Sequence, residues 1–157
     1  TDGEGLATRR NELMTAGVLQ KFIHNSYTGR RSGTASTGSA VRGYAGTPGV
    51  GCMALVATPG DATPDELVAG IDDGVLVQGV TGLHSGVNPV SGDFSTGAEG
   101  LRIRHGELAE PIREFTVAST LQRMLLDLVA VGNDLTRLPM TAAGVTLVVG
   151  DVTVSGE

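Results

Sequence analysis

The chain has 157 residues, with 24 glycines, three Phe, two Tyr, no Trp and a net charge of −6. That length supports one ordinary hydrophobic core, and the acidity opposes non-specific nucleic-acid binding, which needs clustered Lys and Arg. No apolar run approaches a membrane span, and the single cysteine, Cys52, excludes an internal disulfide and any multi-cysteine zinc site.

The charge is uneven. Residues 1–44 hold six Lys or Arg against three carboxylates, a net +3, and the remainder carries −9. A basic edge beside an acidic body suits a contact with another domain or subunit, although a solvated face gives the same pattern. The opening TDGEGLATRR has neither an initiator Met nor an apolar signal core, so it reads as the interior of a longer protein.

In chain order, the first predicted element is a hairpin: Arg9 to Met14, a turn at Thr15-Ala16-Gly17, then Val18 to His24. Gly29 to Gly51 is rich in small and polar residues and predicts a long loop. Cys52 to Thr58 predicts a short apolar strand ended by Pro59-Gly60. Thr63, Pro64 and Glu66 form a helix start with a capping box, and the helix is expected to run to about Asp73 before Gly74 ends it. Val75 to Val80 returns as a strand. After a loop containing His84 come strand segments Phe94 to Ala98 and Leu101 to Arg104, a turn at His105-Gly106, and Glu107 to Ile112. Leu101 and Ile103 alternate with Arg102 and Arg104, the pattern of a strand with one wet face.

Ser119 and Gln122 read as a second capping box, with Leu121, Leu125, Leu128 and Val129 at helical spacing behind it. The end, GVTLVVGDVTVSG, predicts two β segments joined at Gly150-Asp151. Two helices among about nine strands make residues 1–157 a single α+β domain, mostly antiparallel β, with sandwich or barrel-like sheets.

Known reaction chemistries find little support. A zinc peptidase needs two His one helical turn apart, whereas His24, His84 and His105 are isolated, and only His84 lies in a Gly-rich loop. No G-x-S-x-G elbow occurs. Ser95, His84 and Asp93 make a triad only on paper. GVGCMA, Gly49 to Ala54, fits a phosphate-binding G-x-G-x-x-A, but a strand follows where a helix is required. Cys52, next to Met53, Ala54 and Leu55, reads as a buried inert thiol. VGND, Val131 to Asp134, reads as the stop of the second helix, with Gly132 or Asn133 left-handed. In GDFSTGAEG, Gly92, Gly97 and Gly100 are backbone devices, Ser95 and Thr96 strand residues and Glu99 a turn residue.

Three separated stretches carry a resemblance: DGEGLATRRNELMTAGVLQKFIHNSYTGRRSG, then SGDFSTGAEGLRIRHGELAEPIREFTVAST, then LVAVGNDL. Together they resemble the C-terminal domain of the TldD/PmbA family, once labelled modulators of DNA gyrase and associated with zinc-dependent peptidase assemblies. The resemblance implies the C-terminal part of a protein about three times longer. It also implies that the zinc-binding helix lies in the preceding domain of the catalytic, TldD-like subunit, which adds a cysteine ligand after the VGND region. Here that region continues LTRLPMTAAG, without cysteine, and TGRRSGTASTG and GDFSTGAEG are closer to the partner subunit, PmbA or TldE.

The implied role is therefore non-catalytic: pairing with a TldD-like catalytic subunit, or with a second copy, in cytoplasmic proteolysis of unfolded peptides. The zinc would sit in the partner, no cofactor in this chain, and an extended peptide against a sheet edge, with no nucleic-acid or membrane role. A protein-binding regulator of gyrase or of a toxin-antitoxin system is the alternative. No residue is assigned to catalysis, cofactor or metal, and His84, Gly132, Asn133 and Asp134 are the candidates for an interface or structural role.

Overall fold

The computed structural model describes residues 1–137 and 142–156. It divides into two compact units, Thr1–Val56 with Arg137–Ala143, and Ala57–Thr136 with Gly144–Glu157. The class is α+β with mostly antiparallel strands, and four short helices occur among the described residues, two more than the capping boxes predict.

In the first unit, β1 (Met14–Thr15) and β2 (Val18–Leu19) form the expected hairpin, with Met14 opposite Leu19 and Thr15 opposite Val18. Ala16 (φ 49°) and Gly17 (φ 77°) both take the left-handed conformation that suits a two-residue turn. The ladder is much shorter than expected, because the flanking segments turn to residues 36–37 instead. Asn11 Nδ2 donates to the Thr37 carbonyl at 3.0 Å, and the His24 amide donates to Thr37 Oγ1 at 2.7 Å.

The run read as a long loop holds regular structure. Helix α1 (Ser26–Arg31) starts at Asn25, whose side chain accepts from the Thr28 amide at 2.8 Å while Thr28 Oγ1 accepts from the Asn25 amide at 3.1 Å. Buried Asn25 also donates to the Pro48 carbonyl at 3.0 Å, and buried Asp2 accepts from the Ala40 amide at 3.1 Å. These bonds order a segment with few apolar side chains, and β3 (Ala40–Val41) and β4 (Gly49–Val50) pair antiparallel within it. Of the strand expected over Cys52 to Thr58, only β5 (Leu55–Val56) forms, and Cys52 is half-buried where a buried thiol was expected.

In the second unit, α2 (Pro64–Ala69) carries the predicted box: the Thr63 amide donates to Glu66 Oε2 at 2.8 Å. It stops at Gly70, short of Asp73, because Asp73 already pairs with Arg104 in the sheet. The strand β6 (Asp73–Thr81) leads through α3 (Leu83–Gly86) to β7 (Asp93–Arg104), a tight turn at His105-Gly106, and β8 (Glu107–Thr120). Strand β7 is continuous across GDFSTGAEG. Its register with β8 shifts between Ala98 and Gly100, so Glu99 occupies a bulge, where a turn was expected.

Helix α4 (Leu121–Leu126) is capped by Thr120, whose Oγ1 accepts from the Arg123 amide at 3.1 Å, and not by Ser119. It is also shorter than the helical spacing predicts. Leu128 and Val129 belong to β9 (Leu128–Val131), where the sheet partner overrides the helical periodicity. The chain continues through β10 (Thr136–Arg137) and β11 (Ala142–Gly144) to β12 (Leu147–Val149) and β13 (Thr153–Ser155). Strand β11 lies parallel to β5, with Ala143 opposite Val56. The two terminal segments flank Gly150-Asp151 as expected, but they join different sheets, β12 with β9 and β13 with β8.

The antiparallel sheet β13-β8-β7-β6 organises the second unit. Its core consists of Ala98, Phe115 and Val117, with Val75, Phe94, Ile112 and Val152 packed around them. No helix among the described residues is long and apolar enough to cross a membrane.

Candidate functional site

The GDFSTGAEG strand forms one wall of an open polar cleft of about 600 Å³, with α3 forming another. Local sequence explains the shape. Gly82 (φ 76°) turns the chain out of β6 into α3, and a side chain at Gly86 would collide with the Ser95 carbonyl, so only glycine lets α3 approach β7 so closely. The cleft is lined by the Thr81, Ser85 and Ser95 hydroxyls, the Asn88 carboxamide and the Asp93 carboxylate, with the buried Thr96 behind them.

Asp93 already accepts from Ser91 Oγ at 2.6 Å, and Asn88 Oδ1 accepts from the Val90 amide at 2.9 Å. Among the described residues no hydrogen bond joins His84 to Ser95 or Asp93, so the paper triad is not assembled. His84 itself is exposed on α3. Thr96 Oγ1 is buried without a hydrogen-bond partner among the described residues. The cleft can accept and donate hydrogen bonds, and among the described residues none of its hydroxyls is hydrogen-bonded to a histidine.

VGND begins on the last residue of β9, Val131, and not at a helix end, and neither Gly132 nor Asn133 has a positive φ. Its function is visible in its bonds. Buried Gly132 donates to the Thr146 carbonyl at 2.7 Å, and its own carbonyl accepts from the Gly60 amide at 2.9 Å. The Asn133 amide donates to the Ala62 carbonyl at 2.8 Å, and Asn133 Nδ2 to the Asp61 carbonyl at 3.1 Å. Asp134 accepts from the Thr146 amide at 3.0 Å and from Thr146 Oγ1 at 2.8 Å. Gly132, Asn133 and Asp134 thus tie three separate segments of the second unit together, while His84 stands apart from them.

The two Thr146 hydrogen bonds hold the Asp134 carboxyl below its ordinary value of 3.8. At Asp2, burial opposes the charged form, but amide donors at Ala40, Leu6 and Glu4 outweigh it and also leave the carboxyl below 3.8. Because the folded values lie below the unfolded ones, this stabilisation is fully present above the ordinary aspartate range and is lost as pH falls through the folded values. Thermal midpoints followed from pH 6 down to about pH 2 fall on the acid side, and in Asp134→Asn that acid slope is shallower. An unchanged slope in the variant would contradict the assignment.

The other two histidines are committed elsewhere: His24 Nδ1 lies 3.3 Å from Thr28 Oγ1, and His105 Nδ1 lies 2.7 Å from Asp72 Oδ1. Among the described residues no three His, Cys, Asp or Glu side chains gather as a metal site, so this donor set does not fit a zinc ion held by the described residues alone. Part of the cysteine-free segment after VGND, 138–141, lies outside the described residues.

Comparison with known proteins matches this architecture along its length. A Haemophilus influenzae protein named metalloprotease PmbA homolog is 36% identical over 138 residues, covering 85% of this chain and 28% of that protein. The structure of TldE from Thermococcus kodakarensis superposes with a TM-score of 0.88 at 29% identity, covering 99% of this chain and 36% of that one. A Thermotoga maritima protein described as a candidate modulator of a DNA gyrase gives a TM-score of 0.89 at 32% identity, covering 98% of this chain and 35% of its own. The chain thus spans about a third of the length of these relatives. The PmbA/TldA metallopeptidase C-terminal domain model matches residues 1–156, so the chain belongs to that family.

Proposed function

We propose that this chain is the C-terminal domain of a PmbA/TldE-type subunit in a zinc-dependent assembly that degrades unfolded peptides in the cytoplasm. The full-length match to the metallopeptidase C-terminal domain carries this reading, and the similarity to the TldE structure favours the partner-type subunit. Its role is to wall a chamber and pair with a TldD-like catalytic subunit that holds the zinc; pairing with a second copy is the other arrangement. Gly132, Asn133 and Asp134 serve the fold, and His84, exposed and without a hydrogen bond to the other three, is the candidate left for a partner. Strand β6 ends the four-stranded sheet, and such an edge can hold an extended peptide by main-chain hydrogen bonds.

The test is reconstitution. The protein is co-expressed with a TldD-like subunit, co-purification is scored, and cleavage of an unfolded peptide is followed with zinc and after chelation. The expected result is a stable pair that cleaves only with zinc, and no cleavage by this protein alone. Zinc-dependent cleavage by this protein alone would reject the non-catalytic assignment. A second reading, a regulator that binds gyrase or a toxin-antitoxin protein, is favoured by the description of the Thermotoga relative. Binding to such a target by a pair that cleaves nothing would select it.

A further inference from the structure

The cations of the two units are placed differently. Among the described residues, three of the second unit's four arginines, Arg102, Arg104 and Arg123, each meet a carboxylate, on Asp73, Glu110 and Asp127, and Arg113 does not. Among the described residues, no carboxylate lies within ion-pair distance of any of the six Lys or Arg of residues 1–56. Aromatic residues divide the same way. Phe22, Tyr27 and Tyr44 are 70%, 57% and 101% exposed, whereas Phe115 is buried and Phe94 is packed against the core. Exposed rings beside unpaired cations are the residue types that anchor partners.

In the first unit some of these groups converge. Arg9, Asn11, Lys21, Phe22 and His24 face residues 34–37 across a groove of about 330 Å³, and no carboxylate lines it. Its walls are tied together: the Arg9 guanidinium donates to the Ser36 carbonyl, Asn11 bridges to Thr37, and Ser36 Oγ and Thr37 Oγ1 both donate to the His24 carbonyl, at 3.2 and 3.0 Å. Such a groove is pre-organised, so a ligand meets little ordering cost. Arg9 keeps further N–H donors, and Lys21 makes no hydrogen bond or ion pair among the described residues.

We infer that this groove holds an extended, acidic polypeptide segment, with carboxylates on Arg9 and Lys21 and an apolar side chain against Phe22. Charge complementarity selects the anion, and one exposed ring beside two cations suits a peptide side chain. A nucleic acid would need a longer cationic track and several stacking rings, and the chain as a whole is acidic. The inference needs neither cleavage nor a partner subunit, so it can fail while the peptidase reading stands, and the reverse.

Lys21 is the chain's only lysine, which makes the test specific. Fluorescent peptides of one length, carrying Glu and Leu, Gln and Leu, or Lys and Leu, are titrated by anisotropy against the purified protein. The Glu peptide binds tightest and weakens as salt rises; Lys21→Glu lowers its affinity about tenfold, and Phe22→Ala lowers it severalfold. Both side chains are exposed, so neither variant puts folding at risk, unlike a change at Arg9. Carbodiimide coupling of the Glu peptide joins a peptide carboxyl to Lys21 Nζ, read by peptide mapping. Equal binding of the three peptides, unchanged affinity in Lys21→Glu, coupling confined to the chain's amino terminus, or tighter binding of a single-stranded oligonucleotide would each overturn the inference.

Discussion

Replacing Phe115 with alanine lowers the free energy of unfolding by about 3–5 kcal/mol, a large part of the roughly 5–15 kcal/mol that holds a domain together. Phe115 is 2% exposed and, with Ile103, is one of the two largest fully buried side chains among the described residues. It sits on β8 opposite Ala98 of β7, and the rest of its cluster is Val117 with Val75, Phe94, Ile112 and Val152 around it. The facing residue is small and the neighbouring backbone is fixed by two ladders, so the space left by the ring cannot close. Leu126→Ala is the control: at 76% exposed, the side chain has little burial to lose, and its change stays within about 0.5 kcal/mol. Urea unfolding followed by circular dichroism measures both, and equal losses would contradict this account of the core.

What was legible in the sequence was local. The Thr63-Glu66 box, the Ala16-Gly17 and His105-Gly106 turns and the Ile103 alternation each depend on residues a few positions apart, and each formed. Elements decided by distant partners were not legible. Leu128 and Val129 have helical spacing with Leu121 and Leu125, yet β12, nearly twenty residues later, draws them into a sheet. The Gly-rich run read as a loop because its order comes from Asn25, whose carbonyl partner Pro48 is 23 residues away, and from Asp2, 38 residues from Ala40. A capping signal was present there, Asn25 with Thr28, in a less familiar form than Ser or Thr with Glu.

The same distinction runs through the sites. Gly132, Asn133 and Asp134 were recognisable as a stretch that matters, but their partners Gly60, Asp61, Ala62 and Thr146 could not be named from sequence. The basic bias of residues 1–44 was visible as a count. The groove it lines was not, because its walls are joined by bonds spanning 26 and 27 residues.

Within GDFSTGAEG, alanine at Gly100 destabilises the protein by about 1–3 kcal/mol, whereas alanine at Gly97 costs much less. Both lie on β7 and both look like spare glycines in the sequence. A Cβ on Gly100 would run into the Leu76 carbonyl of β6, a main-chain group fixed by the ladder in which Leu76 faces Leu101 and Val77 faces Gly100. Relief requires the two strands to separate at the bulge, and that weakens neighbouring pairs as well. A Cβ on Gly97 would come 2.7 Å from Thr81 Oγ1, the end of a side chain that can rotate away at the strand's last residue. Denaturant midpoints of the two variants separate these cases, and amide exchange locates the damage. Faster exchange along β6 and β7 in Gly100→Ala, with Gly97→Ala close to the parent, is the expected pattern. Equal tolerance at both positions would mean that β6 can shift at its bulge, and the glycine at position 100 would then have no steric explanation.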